Sequence, residues 1–156
     1  MQQTLIIADL HLTQVENEKI ELFNQFCTEY ASKVDQLFIL GDLFNTWIGD
    51  DISLNTYQSI TTILNKLTQI TQVFVMAGNR DFLLSNAFEK ETGCKIIKEP
   101  HLLNHNEKNY LLIHGDSLCT EDVDYQKYLS DSLVELIGID SRVLPLQVPR
   151  LSTSWS

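Results

Sequence analysis

Four short apolar segments, each ending in polar residues, are the feature that most restricts how this chain can fold. They are rich in β-branched, aromatic and leucine side chains, and they cover residues 5–8, 37–40, 73–76 and 110–113. Segments of this length and composition are typical of buried strands. We therefore predict four buried strands, each followed by a polar loop.

Amphipathic helices are predicted between the first three strands. Apolar residues recur at helical spacing over 18–32, and again over 57–67. A strand-helix-strand-helix-strand order requires crossover connections and hence a largely parallel sheet.

The rest of the chain is predicted to be more antiparallel in character. A short helix over 86–92, stopped by Gly93, leads into a strand over 94–98. Residues 101–105, a polar turn at 106–109 and the fourth apolar segment resemble a hairpin, and residues 121–138 fit another helix.

The composition favours one folded domain without a membrane span. The 156 residues carry a formal net charge of −10, which would repel nucleic acid unless bound cations reversed the sign locally. We therefore expect no nucleic-acid partner.

No apolar run approaches the roughly 20 residues of a spanning helix, and no signal peptide is evident. Three cysteines at unrelated spacings favour a reducing cytoplasm over a disulfide framework.

The last residues differ in composition from those before them. All 21 acidic residues lie at or before Asp140, while two of the three prolines follow it. We therefore predict a domain over 1–140 and an atypical, poorly ordered tail over 141–156.

A distinctive polar group follows each of the four strands. Because ligands bind beyond the carboxyl ends of strands in open sheets with crossover helices, these groups are candidates for one site. Oxygen and imidazole donors without thiolates suit Mn²⁺, Fe²⁺ or Zn²⁺. The groups are Asp9-Leu10-His11, Gly41-Asp42, Gly78-Asn79-Arg80-Asp81 and His114-Gly115-Asp116.

Each group alone has an ordinary structural interpretation. Asp-x-His and Gly-Asp are common caps and turns, and a histidine beside an apolar strand is usually a core residue. Asp50, Asp51 and Asp116 could orient ligands or could be solvated loop carboxylates. We expect Asp81 to brace Arg80 or its loop rather than to bind metal, and we assign no role to His101 and His105. The order of the four groups along the chain is what makes the combination specific.

That order resembles the calcineurin-like metallophosphoesterases, whose signature is Asp-x-His, Gly-Asp, Gly-Asn and a later His, closed by Gly-His-x-His. The longer strings around Trp47-Ile48-Gly49-Asp50-Asp51 and Leu118-Cys119-Thr120 are similar to one branch of that family, the UDP-diacylglucosamine diphosphatases of lipid A biosynthesis. The match runs from about Thr4 to Tyr128. The resemblance implies an α/β two-sheet sandwich flanked by helices, with the second sheet incomplete in this chain.

The resemblance also implies a role for each residue. Two Mn²⁺ ions, or other divalent metals, would be held by Asp9 and His11 on one side and by Asn79 and His114 on the other, with Asp42 bridging them. In that family Asp42, Asn79 and His114 would be catalytic, and the substrate would be contacted by Asn79, Arg80 and Asp122. The UDP-linked acylated sugar would give UMP and a diacylated sugar 1-phosphate, at the cytoplasmic face of the inner membrane through peripheral contact.

One element of the family pattern is missing from the sequence. No histidine follows His114, so the closing Gly-His-x-His is absent and each metal would lack one ligand. On this interpretation the chain is truncated and its activity is impaired. Another metallophosphoesterase, such as a nuclease or nucleotide phosphatase, and a non-catalytic remnant remain the alternatives.

Overall fold

The computed structural model describes residues 1–115, and these form a parallel sheet covered on both faces. The predicted helix over 121–138, the tail over 141–156 and the candidates Asp116 and Asp122 lie outside the described residues. Within residues 1–115, no helix has the length and apolar character needed to cross a membrane.

The main sheet contains four parallel strands in the order β1-β2-β3-β4. Its strands are β1 (Thr4–Ile7), β2 (Gln36–Leu40), β3 (Gln72–Met76) and β4 (Lys95–Ile97). The register runs without interruption, with Leu37 opposite Val73 and Ile39 opposite Val75. The predicted parallel sheet is thus confirmed.

Helices connect the strands and pack on one face of this sheet. They are α1 (Asn17–Glu29), α2 (Asp50–Thr56), α3 (Gln58–Thr68) and α4 (Asn86–Thr92), with a short 3₁₀ helix at Ala31–Lys33 after α1. Alternate strand residues such as Leu37 and Val75 face the helices and bury against Phe23, Ile60 and Phe88. This layer forms the larger of the two apolar cores.

An antiparallel hairpin covers the other face of the sheet. Strands β5 (His101–His105) and β6 (Lys108–Leu112) pair across a tight turn at Asn106 and Glu107, both of which have positive φ. Leu103 and Leu112 pack against Phe38, Leu40 and Met76 from the main sheet. The predicted hairpin is confirmed, and with it the two-sheet layering.

Three features differ from the sequence predictions. The strand after α4 joins the main sheet in parallel beside β3, so the second half of the described chain is not wholly antiparallel. The apolar pattern over 57–67 detected α3 but not α2, which packs before it with only Asp50 and Ser53 buried. Strand β1 is also less buried than predicted, since Ile6 is 44% exposed at the sheet edge.

The cysteines of the described chain are buried thiols. Cys27 and Cys94 are both free, and burial raises the pKa of each thiol to about 12. A thiol with so high a pKa is protonated near neutral pH and is a poor metal ligand. These two residues therefore belong to the core rather than to the site.

Candidate metal centre

The polar loops after β1, β2 and β6 meet at the carboxyl edge of the main sheet. One ligand atom each from Asp9, Asp42 and His114 lies within 4.8 Å of the other two, which makes this group a candidate metal site. His11 lies beside them, with Nε2 3.8 Å from Asp42 Oδ2. Three of the other four predicted metal ligands, Asp9, His11 and His114, therefore lie close to the Asp42 carboxylate.

Asp42 is the central residue of this group. Its side chain is nearly buried, and its Oδ2 lies 3.8 Å from the Nε2 atoms of both His11 and His114. These separations are too long for hydrogen bonds. Its other oxygen, Oδ1, accepts a hydrogen bond from the backbone N–H of Arg80 at 3.0 Å. One oxygen of Asp42 is thus fixed by the protein while the other faces two imidazoles.

His114 is oriented by the backbone of β2. Its Nδ1 lies 2.8 Å from the carbonyl oxygen of Leu40, so Nδ1 carries the proton and donates it to that carbonyl. Nε2 then faces Asp42, 3.8 Å from its Oδ2. Glu99, in the connection between β4 and β5, accepts hydrogen bonds from the backbone N–H groups of His114 and Gly115 at 3.0 and 3.2 Å. Glu99 belongs to no motif, and sequence analysis gave no indication of its contact with this loop.

Three of the predicted ligands have left-handed backbone conformations. The φ angles of Asp9, His11 and Asp42 are 56°, 48° and 52°. Such angles are uncommon for residues other than glycine, and they cluster at functional sites where the surrounding structure enforces them. Here hydrogen bonds from Asp9 N–H to Gly41 and from His11 N–H to Asp42 hold the first loop against the second.

Two glycines allow the loops to approach this closely. A Cβ at Gly41 would overlap the His114 ring, and a Cβ at Gly78 would overlap the Asp42 carboxylate. Gly41 also has a φ of 80°. Gly41 and Gly78 therefore have a steric role, because each leaves room for a neighbouring ligand side chain.

The residues present fit a divalent cation. The donors are carboxylate oxygens and imidazole nitrogens, the set that Mn²⁺, Fe²⁺ and Zn²⁺ accept. His11 Nδ1 is buried and has no hydrogen-bond partner within residues 1–115. Buried polar atoms without a partner are uncommon in folded proteins, and a bound ion can satisfy such an atom.

The loop after β3 brings the remaining candidates to the same edge. Asn79 and Arg80 are exposed, and they lie between Gly78 and Asp81, both of which are buried. Asp81 accepts hydrogen bonds from the backbone N–H groups of Gly78 and Asp42, so of the two predicted possibilities it braces its loop. Burial raises the pKa of Asp81 and the neighbouring Asp42 charge also raises it, against the lowering effect of the Gly78 and Phe44 amides.

Asp50 has a structural role beside the site. Its buried carboxylate accepts hydrogen bonds from the Trp47 indole, from the Ser85 N–H and hydroxyl, and from the Phe88 N–H at the start of α4. Burial raises its pKa, but these hydrogen bonds outweigh that effect and leave it below the usual value. Asp50 is therefore not a solvated loop carboxylate. Within residues 1–115 it also makes no hydrogen bond to a metal ligand, so neither of the two interpretations left open for it applies.

We expect the Asp50→Ala variant to be less stable at pH 7 by roughly 3 kcal/mol, because several buried donors lose their acceptor. Because the pKa of Asp50 is lower in the folded protein, the stability that depends on its charge is fully present above the unfolded pKa of 3.8. That stability is lost as the pH falls through the folded pKa. Urea unfolding of both proteins at pH 7 and at pH 3 measures the difference. An equal stability difference at the two pH values would contradict the role given to the Asp50 charge.

Comparison with known proteins agrees with this geometry. Residues 3–154 match the family described as calcineurin-like phosphoesterase. The chain is 40% identical over 126 residues to a UDP-2,3-diacylglucosamine hydrolase of Azotobacter vinelandii, covering 80% of this chain and 52% of that protein. It is 39% identical over 129 residues to one of Haemophilus influenzae, covering 82% and 54%. The chain thus spans about half the length of these relatives.

One further relative and one solved structure extend the comparison. A UDP-2,3-diacylglucosamine hydrolase of Pseudomonas fluorescens is 40% identical over 147 residues, covering 92% of this chain and 58% of that protein. A crystal structure of a protein of unknown function from Aquifex aeolicus superposes with a TM-score of 0.50 at 19% identity, covering 84% and 71%, which shows a shared fold. The family match over nearly the whole sequence, together with the loops gathered around Asp42, shows that the chain belongs to the calcineurin-like phosphoesterase family.

Proposed function

We propose that this chain acts in the metal-dependent hydrolysis of the diphosphate of UDP-2,3-diacylglucosamine, giving UMP and 2,3-diacylglucosamine 1-phosphate. The observation that carries the proposal is the convergence of Asp9, Asp42 and His114 at the carboxyl edge of the sheet. The substrate is that of the relatives, which are UDP-2,3-diacylglucosamine hydrolases about 40% identical to the chain. Lipid A biosynthesis is the pathway to which the resemblance assigns this reaction.

In this proposal the ligands divide as the family pattern implies. Asp9 and His11 would hold one Mn²⁺, Asn79 and His114 would hold a second, and Asp42 would be a ligand of both. Divalent cations at such a site lower the pKa of water and neutralise phosphate charge. The protein contributes the fixed orientation of Asp42 through Arg80 N–H and of His114 through the Leu40 carbonyl.

Arg80 is proposed to bind the diphosphate. Its backbone N–H is fixed on Asp42 Oδ1, while the residue itself is exposed beside Asn79. A guanidinium placed there presents several donors in a planar arrangement that suits phosphate oxygens. Asp122, which lies outside the described residues, is proposed as a second substrate contact on the resemblance alone.

Exposed apolar side chains beside the site support an acylated substrate. Phe82 and Ile48 are 65% and 57% exposed, and their segments are joined by a hydrogen bond from Trp47 N–H to the Arg80 carbonyl. Leu83 and Ile52 are also exposed in the same two segments. Contiguous apolar patches, unlike single exposed side chains, are typical of contacts with lipids or partners, and four exposed apolar side chains in two joined segments favour such a patch here. Peripheral contact with the cytoplasmic face of the inner membrane is proposed on the same basis.

The substrate assignment predicts that UMP is released from UDP-2,3-diacylglucosamine when Mn²⁺ is present. We expect Arg80→Ala to slow this release about 100-fold, because one charged contact to the reacting diphosphate is lost. The matched control is Lys33→Ala, which removes one exposed cation from the 3₁₀ helix before β2, at the opposite edge of the sheet. Chromatographic quantification of UMP gives the rates.

Three further measurements make this assay decisive. Single-stranded DNA and a cyclic nucleotide are assayed in parallel, and preferred cleavage of either would favour the nuclease or nucleotide phosphatase alternative. The chain is also assayed after fusion to the C-terminal part of the Azotobacter vinelandii relative, since the family's Gly-His-x-His is absent from the sequence. We expect the fusion protein to release UMP faster than the chain alone. No UMP from either protein would refute the proposed function.

A further inference from the structure

Asp81 has an unusual position for a carboxylate. It is completely buried, and it follows directly after the exposed Asn79 and Arg80. Its Oδ1 accepts hydrogen bonds from the backbone N–H groups of Gly78 at 2.7 Å and of Asp42 at 3.3 Å. Its Oδ2 accepts one from Phe44 N–H at 3.2 Å. A buried carboxylate is costly unless such partners compensate it.

These three amides belong to two different loops. Gly78 lies in the loop after β3, which carries Asn79, whereas Asp42 and Phe44 lie in the loop after β2. The Asp81 carboxylate therefore joins the two loops from their buried side. Among the backbone–backbone hydrogen bonds described between these two loops, none has the Asp42 N–H as its donor.

Asp42 is held at both ends by this arrangement. Its backbone has a φ of 52°, its N–H donates to Asp81, and its Oδ1 accepts the N–H of Arg80. A left-handed residue persists only where its surroundings enforce it. The contact with Asp81 supplies part of that restraint directly at the Asp42 amide.

We propose that Asp81 is a positioning residue for the metal centre. It holds the Asp42 carboxylate and the Gly78-Asn79 segment at the spacing that cation binding requires, without contacting the cations itself. This inference rests on the proposed metal site. It differs from a general contribution to folding because it concerns the relative placement of two ligand loops.

Asp50 provides a matched control within the same chain. It is also a buried carboxylate that accepts several hydrogen bonds, but its donors are Trp47, Ser85 and Phe88, none of which is a ligand. Loss of either carboxylate would lower stability. Only the loss of Asp81 would displace the ligand loops.

The test compares Mn²⁺ binding by the wild-type chain and its Asp81→Asn, Asp50→Asn and Asp42→Asn variants. In Asp81→Asn, the amide NH₂ must face either Phe44 N–H or the N–H groups of Gly78 and Asp42, so donors oppose donors. We expect its Mn²⁺ dissociation constant to rise at least 30-fold. Electron paramagnetic resonance of free Mn²⁺ measures the affinity, well below the unfolding midpoint of each protein.

The controls separate a positioning role from a structural one. We expect Asp50→Asn to have a lower unfolding temperature and an unchanged Mn²⁺ affinity, and Asp42→Asn to bind Mn²⁺ poorly. If Asp81→Asn does not fold, Asp81→Ser replaces it, since a hydroxyl can rotate to avoid opposing donors. Its single, shorter oxygen cannot accept from the amides of both loops as the carboxylate does, so the same loss of affinity is expected.

Three results would overturn the inference. Wild-type affinity in the folded Asp81 variant, with Asp42→Asn impaired, would refute it and leave the metal site intact. An equal loss in Asp50→Asn would show that general destabilisation is the cause. Failure of the wild-type chain to bind Mn²⁺ would refute the inference and the proposed function together.

Discussion

The Asp42→Ala variant is expected to lose Mn²⁺ binding almost completely, with an affinity at least 100-fold below that of the wild-type chain. Asp42 is the residue closest to the other candidate ligands, since its Oδ2 lies 3.8 Å from Nε2 of both His11 and His114. On the proposed bridging assignment, removal of this carboxylate would weaken both cation positions at once. Activity toward any phosphoester is expected to fall with the metal, because the cations supply the water activation.

His105→Ala is the control for this prediction. His105 ends β5, and its Nδ1 lies 3.2 Å from the hydroxyl of Thr4, at the start of β1 and away from the carboxyl edge of the sheet. We expect its Mn²⁺ content to equal that of the wild-type chain. Elemental analysis of the three proteins after dialysis measures the content. Equal Mn²⁺ content in Asp42→Ala and in the wild-type chain would contradict the proposal that Asp42 bridges two cations.

The Gly78→Ala variant is also expected to show a large loss of Mn²⁺ binding. Its new Cβ would overlap Asp42 Oδ1 and would lie 2.7 Å from the Asp42 backbone nitrogen and 2.9 Å from His114 Nε2. The Asp42 backbone nitrogen cannot move aside as the end of a flexible side chain can. The loop after β3 must therefore move away from the loop after β2. We expect Mn²⁺ affinity to fall at least 30-fold, together with a loss of stability of about 2 kcal/mol from overpacking.

Gly93→Ala is the matched glycine control. Gly93 ends α4 with a φ of 75°, and a Cβ there would lie 2.6 Å from the Thr68 hydroxyl oxygen. This variant is therefore expected to lose about 1 kcal/mol of stability from backbone strain. Its Mn²⁺ affinity should not change. Calorimetric titration with Mn²⁺ and thermal unfolding separate the two effects, and normal Mn²⁺ binding by Gly78→Ala would contradict the described loop spacing.

The strands and their functional ends could be predicted from the sequence because both are local patterns. Apolar runs of four residues located β1, β2, β3 and β6 to within two residues at each end. Gly93 marked the end of α4, where its φ of 75° confirms the prediction. The polar groups at the strand ends followed from the same patterns, and the resemblance to a known family then assigned the individual ligands among them.

Several features of the fold depended on partners that are distant in the sequence. The strand over 95–97 could have paired in either direction, and only its packing beside β3 decided the parallel one. Helix α2 has a weak apolar pattern of its own. Its position is set by Asp50, which binds Trp47 on one side and the start of α4 on the other.

The sequence by itself determined which residue types meet at the carboxyl edge of the sheet, because motif order and strand order are both written along the chain. Only the tertiary structure decided how those residues are held. Asp81 reaches Asp42 across 39 positions, Glu99 reaches His114 across 15, and the Leu40 carbonyl orients His114 across 74. Hydrogen bonds over such separations leave no periodic pattern in a single sequence, so the positions of the ligands become visible only once the loops are packed together.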